Sequence, residues 1–177
     1  MAQTLVSSPE ETDRRIRLTH HLLVLDDGHE VGVSVGGQGA PLVLMHGLAL
    51  NRRAYLRMLS RAAGLGFLVI AIDAAGHGDT HNLPRKAGEL ADRVALTLRT
   101  LDALGIQRAV FAGHSMGGRM AIRLAAVAPH RVLAAVLFDA AGGASIDEAI
   151  PALAHSPRLA VQTMGLAAYD AERDPCG

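Results

Sequence analysis

The chain has 177 residues, 50% of them hydrophobic, and its 17 basic residues balance 17 acidic ones. That length fits one domain whose core needs neither disulfides nor a metal for support. With no net charge and no Lys/Arg run, nothing favours nucleic acid or an anionic membrane surface, and a small or neutral partner is expected.

The first 14 residues are polar and read as a mobile tail without chemistry. They contain no apolar stretch of signal-peptide length, and the single cysteine, Cys176, excludes an internal disulfide framework, so a cytoplasmic location is expected. Apolar runs such as Phe67 to Ile72 and Val132 to Phe138 are far shorter than the roughly 20 residues that span a bilayer.

Ile16 to Leu25 reads as a strand, Asp26-Asp27-Gly28 as a turn, and Glu30 to Val35 as a second strand, together an antiparallel hairpin. After the loop Gly36-Gly37-Gln38-Gly39, Pro41 to Met45 suits a strand buried on both faces. That loop lacks the Lys-Ser/Thr ending of a phosphate cradle, which argues against nucleotide binding. Tyr55, Met58, Leu59 and Ala62 repeat at helical spacing, with Gly64 as a stop signal. Phe67 to Ile72 is another buried strand, followed by a glycine-rich loop from Asp73 to Gly78.

A second helix is expected from about Ala87 to Leu104, with Leu90, Val94, Leu98, Leu101 and Leu104 as its apolar stripe and Glu89, Asp92, Arg93 and Arg99 off it. Arg108 to Ala112 reads as a strand, Met116 to Ala128 as a helix, and Val132 to Phe138 as the sixth strand. Alternating strands and helices in this order imply an α/β fold, a mostly parallel sheet with helices on both faces. Three prolines and weak periodicity make residues 140–177 read as the start of a lid and not as further strands.

Gly113-His114-Ser115-Met116-Gly117-Gly118 lies where a strand turns directly into a helix, the context of a G-x-S-x-G nucleophile elbow. Small neighbours are needed at such a corner so that the serine can take strained backbone geometry without clashes. Ser115 is the candidate nucleophile, and the Met116 N–H at the helix start can point at a developing oxyanion. The competing reading of Ser115 is a helix N-cap. His46-Gly47-Leu48 follows the buried strand ending at Met45, so the Leu48 main chain is the second candidate oxyanion donor. Gly47 leaves room for the approach, and His46 is expected to organise the loop. Gly113, His114 and Gly117 support the elbow.

With Asp73-Ala74-Ala75-Gly76-His77-Gly78-Asp79-Thr80 added, the order of the three motifs resembles the α/β-hydrolase superfamily over about residues 20 to 140. The resemblance implies that fold without its last two strands. It also implies a cofactor-independent serine hydrolase acting on carboxylic esters through an acyl-enzyme on Ser115. Relatives usually carry Arg where this chain has Ala75 and Ser where it has Thr80, a departure that bears on loop stiffness more than on catalysis. His77 and His81, flanked by Asp73 and Asp79, raise a metal site, but in a glycine loop four-residue spacing does not bring two side chains together, so no metal is expected.

The family's order of serine, acid and histidine places both partners of Ser115 downstream. Asp139, directly after the sixth strand, is the candidate acid, with strand capping as the alternative. His155, the only histidine after His130, is a candidate base in the lid-like segment. The chain is therefore expected to stop short of a complete triad, to turn over little, and to expose its sixth strand as an edge open to self-association. The rival functions are a noncatalytic binding module and a hydrolase-fold thioesterase, perhydrolase or lyase.

Overall fold

A computed structural model describes residues 16–81, 90–140 and, for the backbone alone, 160–164. The polar tail, the start of the second helix, His155 and most of the lid-like segment lie outside the described residues.

Seven strands form one sheet in the order β1-β2-β4-β3-β5-β6-β7. They are β1 (Thr19–Val24), β2 (Glu30–Gly36), β3 (Ala40–Met45), β4 (Phe67–Ile72), β5 (Ala109–His114), β6 (Val132–Phe138) and β7 (Ala160–Met164). β1 and β2 make the expected antiparallel hairpin, and β2 runs antiparallel to β4. From β4 through β3, β5 and β6 to β7 every pairing is parallel. At the hairpin turn Gly28 takes a φ of +80°, which a side chain would strain.

β7 corrects the expectation that residues 140–177 hold no strand. It pairs in parallel with β6 from Ala134↔Ala160 to Phe138↔Met164, so the sixth strand is not an open edge and self-association through it loses its basis. The segment AVQTM is short and not continuously apolar, which is why neither periodicity nor a buried run marks it.

The central strands read as uninterrupted apolar runs because both faces are covered. On β4, Ile70 and Ile72 join a core with Val43 and Met45 of β3 and Phe111 of β5, under helices α2 (Leu90–Ala103) and α3 (Met116–Val127). Val69 and Ala71 point the other way and pack with Leu44, Ala112 and Leu59 of helix α1 (Leu56–Gly64). This two-residue alternation splits one hydrophobic strand between two cores.

Two local readings change. Tyr55 does not sit inside the first helix: it ends a 3-10 turn, Arg52–Tyr55, that precedes α1. On α2 the buried side is broader than the leucine stripe and includes Leu96, Thr97 and Thr100. The two threonines are accommodated because their hydroxyls donate to the carbonyls of Arg93 (2.9 Å) and Leu96 (2.8 Å).

The connections from β3 to β4 and from β4 to β5 run in opposite directions across the sheet, with β3 between its two neighbours. In open α/β sheets such a reversal leaves a crevice beyond the carboxyl ends of the strands, where ligands bind. The register Met45↔Gly113 sets His46-Gly47 beside His114-Ser115 at that crevice.

Candidate active site

Ser115 occupies the corner between β5 and α3 with φ 49° and ψ −111°, a conformation that non-glycine residues rarely adopt. Its N–H donates to the carbonyl of Phe138 on β6 (3.1 Å), and its carbonyl accepts from the N–H groups of Gly118 and Arg119. The main chain is therefore held from both sides. Although Ser115 stands at the N-cap position, its side chain makes no capping hydrogen bond, so the helix-cap reading does not explain the residue.

The glycines are required by close packing. A Cβ on Gly117 would overlap the Met45 carbonyl and lie 2.8 Å from the carbonyl oxygen of His46. A Cβ on Gly113 would overlap the Gly117 carbonyl and come within 2.6 Å of the Gly118 nitrogen. These contacts seat the elbow directly against the end of β3.

The loop after β3 lies alongside. A Cβ on Gly47 would be 2.7 Å from Nδ1 of His114 and 3.5 Å from Cβ of Ser115, so a side chain there would crowd Ser115. The Leu48 side chain is 66% exposed and packs little, leaving its main chain as the part of the residue that bears on the site. Met116 opens α3, where first-turn N–H groups have no intrahelical acceptor.

His46 is 1% exposed and uses both ring nitrogens. Nδ1 lies 2.8 Å from the Gly47 carbonyl and Nε2 accepts from the Ala74 N–H at 2.9 Å. A carbonyl can only accept and an amide can only donate, so the ring is the neutral Nδ1–H tautomer. Burial holds its pKa below the ordinary 6.5, outweighing the Gly47 hydrogen bond that favours the charged form. His46 thus braces the 46–48 loop against the loop after β4 and has no nitrogen to spare for a base.

Tyr55 does a similar job from the other side, and sequence reasoning had placed it on a helix face. Its hydroxyl accepts from the Gly47 N–H (3.4 Å) and lies 2.8 Å from Nδ1 of His114.

The loop after β4 answers the departure at Ala75 in a way the sequence did not reveal. Asp73 is 0% exposed and Arg52 1% exposed, and their side chains form an ion pair. The Asp73 carboxylate also accepts from the N–H groups of Arg52 (2.7 Å) and Asp79 (2.8 Å). Arg52 reaches on to Ser34 Oγ (3.0 Å) and Asp79 Oδ2 (2.6 Å). Thr80 donates to the Asp73 carbonyl (2.8 Å) and accepts from the Gly32 N–H (3.0 Å). Loop stiffness comes from Arg52, 21 residues upstream, a separation that no local motif records.

His77 and His81 go separate ways: His77 Nδ1 donates to the Ala75 carbonyl (3.0 Å), and His81 faces Glu30 at 3.5 Å. Among the described residues no group of three or more His, Cys, Asp or Glu side chains is arranged to hold a metal. No helix among them is long and apolar enough to cross a membrane.

Asp139 follows the residue whose carbonyl anchors Ser115, but it is exposed, with φ 46°, and no histidine is hydrogen-bonded to it among the described residues. The structure brings together Ser115, Met116, Gly47, Leu48, His46 and His114. It does not join Asp139 to them through a base.

Comparison with known proteins agrees with this geometry. The alpha/beta hydrolase fold family matches residues 40–167. The protein named "Putative non-heme haloperoxidase" of Mycobacterium phage D29 is 55% identical over 126 residues, covering 71% of this chain and 45% of that protein. Esterase YbfF of Escherichia coli K12 is 36% identical over 107 residues, 58% of this chain and 39% of the esterase. The crystal structure of a bacterial membrane phospholipase A superposes with a TM-score of 0.66 at 30% identity, over 71% of this chain and 40% of that one. The chain spans less than half the length of each of these relatives. Sheet order, elbow and family match lead to one conclusion: the chain belongs to the α/β-hydrolase fold family.

Proposed function

We propose that the protein is a serine hydrolase that cleaves a carboxylic ester of a small molecule through an acyl-enzyme on Ser115. The observation that carries this reading is the strained backbone of Ser115, at φ 49° and ψ −111°, with its hydroxyl unused for capping and Gly47 beside it. Strain of this kind costs stability and persists where it serves a function. In the reaction Ser115 Oγ attacks the carbonyl carbon, and the Leu48 and Met116 N–H groups take the negative charge that develops on its oxygen. The alkoxide leaves with a proton, and water then releases the acid and restores the serine. A histidine must carry those protons, oriented by a carboxylate for which Asp139 is the candidate.

A second reading has one specific support, the relative named for haloperoxidase activity at 55% identity. The same acyl-enzyme would pass its acyl group to hydrogen peroxide, forming a peroxy acid that oxidises halide. A fluorophosphonate label detected by mass spectrometry on the folded chain tests the shared step. An adduct on Ser115 that disappears in Ser115→Ala is expected, and a folded protein that forms no adduct dependent on Ser115 refutes both readings. Peroxide-dependent bromination of an acceptor in the presence of acetate, absent with peroxide alone, favours the second reading over the first.

A further inference from the structure

Among the described residues, the buried and half-buried arginines follow a rule with one exception. Arg52 is paired with Asp73 and Asp79. Arg99 meets Asp26 (2.8 Å) and Asp27 (2.7 Å), and Arg131 meets Asp102 (2.7 Å). Arg93, half-buried on α2, has no carboxylate partner among the described residues; its NH1 points at the sulfur of Met116, 3.2 Å away. A thioether is a weak, uncharged acceptor and leaves most of the five guanidinium donors unused. Taking a guanidinium partly out of water costs free energy that such a contact does not return.

Its position is specific. Met116 is the residue after the nucleophile and the first of α3, so the guanidinium lies against the elbow. Its charge is also felt at the His46 ring, where it disfavours protonation. One turn along α2, Thr97 shares a small void with His46, Ala74 and Met120, which places this side of the helix against the ends of the strands.

We infer that Arg93 is a specificity-determining residue that binds a carboxylate carried by the acyl substrate. This assignment rests on the reading of Ser115 as the nucleophile. A planar guanidinium set against the side chain of the residue that follows Ser115 can hold a carboxylate by two parallel hydrogen bonds and so fix the orientation of the substrate. The thioether at 3.2 Å keeps the side chain in place and is readily displaced when a better acceptor arrives.

The test uses the folded full chain, labelled with 15N, and two probes of similar size: glutarate and its neutral diamide. Glutarate should shift the Nε–H signal of Arg93 and the amides of Met116 and Gly117 in a saturable way, and the diamide should not. Arg93→Met should weaken glutarate binding by roughly tenfold to a hundredfold, the range expected for losing a charged hydrogen-bonded pair, and Arg93→Lys by less. A wild-type chain whose Arg93 signal does not respond, or an Arg93→Met chain that binds glutarate equally well, overturns the proposal. The wild-type titration decides the matter even if the methionine variant fails to fold. Labelling of Ser115 by a neutral alkyl fluorophosphonate is scored separately, so failure of the nucleophile reading and failure of the carboxylate site give different results.

Discussion

Replacing Ser115 by glycine should make the protein more stable than replacing it by alanine. Both changes remove the hydroxyl, which makes no capping bond, so the comparison isolates the backbone at φ 49° and ψ −111°. Holding a residue with a Cβ in a sparsely populated region costs about 1–3 kcal/mol. Against this, glycine gives the unfolded chain more freedom, a penalty of about 0.4–1 kcal/mol. The difference leaves Ser115→Gly ahead by about 1 kcal/mol, or about 2–4 °C in melting temperature for a domain of this size. Urea unfolding of the two variants, fitted with a common m-value, measures it. Gly66→Ala provides the converse, since Gly66 has φ +93° with nothing within 4 Å of an added Cβ; it should lose about 1 kcal/mol. If Ser115→Gly is no more stable than Ser115→Ala, the serine is not strained and the argument from strain to function fails.

Three further outcomes follow from the packing and the charges. Gly117→Ala must push apart the elbow and the end of β3, where the obstacles are the main-chain carbonyls of Met45 and His46. It should cost about 3 kcal/mol, the upper end for overpacking, in a denaturant titration, and a loss below 1 kcal/mol would contradict the contact. Arg52→Met leaves the fully buried Asp73 carboxylate without its cation and should destabilise by about 3–5 kcal/mol in the same assay. His46 has a folded pKa below the ordinary 6.5, so its contribution is complete above that value and is lost as the pH falls through the lower folded one. Stability measured from pH 7 down to about pH 5 should therefore fall more steeply for the wild type than for His46→Gln, by at most about 1.4 kcal/mol per pH unit; parallel curves would show that the ring does not need to stay neutral.

The parts of the fold that could be read in advance were those encoded by neighbours in sequence. Phe67–Ile72 and Val132–Phe138 have the same bounds in both accounts, because strands buried on both faces are continuous apolar runs. The elbow was legible because its strand-to-helix context and its spacing are local: Gly113 answers to the Gly117 carbonyl four residues on, while the demand on Gly117 comes from Met45 and His46 at the end of β3. What escaped was long-range or non-periodic. Arg52 is one of two adjacent arginines ahead of a helix, and nothing local distinguishes the one that is buried from Arg53, which stays exposed. Tyr55 fits a helix face by spacing, yet its hydroxyl is bonded 59 residues away. β7 escaped because pairing with β6, and no pattern of its own, marks it as a strand.

The buried knot around Arg52 adds a polar tie between pieces that the sheet and the apolar core also join. It gathers Ser34 and Gly32 from the hairpin half, its own turn after β3, and the Asp73–Thr80 loop after β4. Because each member satisfies a charge or donor on another, none can be exchanged alone without stranding a partner in a dry interior. A redesign of the neighbourhood would have to alter Ser34, Arg52, Asp73 and Asp79 as a set. In hydrogen exchange the amides of Gly32, Arg52 and Asp79 should open together, marking a single cooperative unit that spans the antiparallel and parallel halves of the protein.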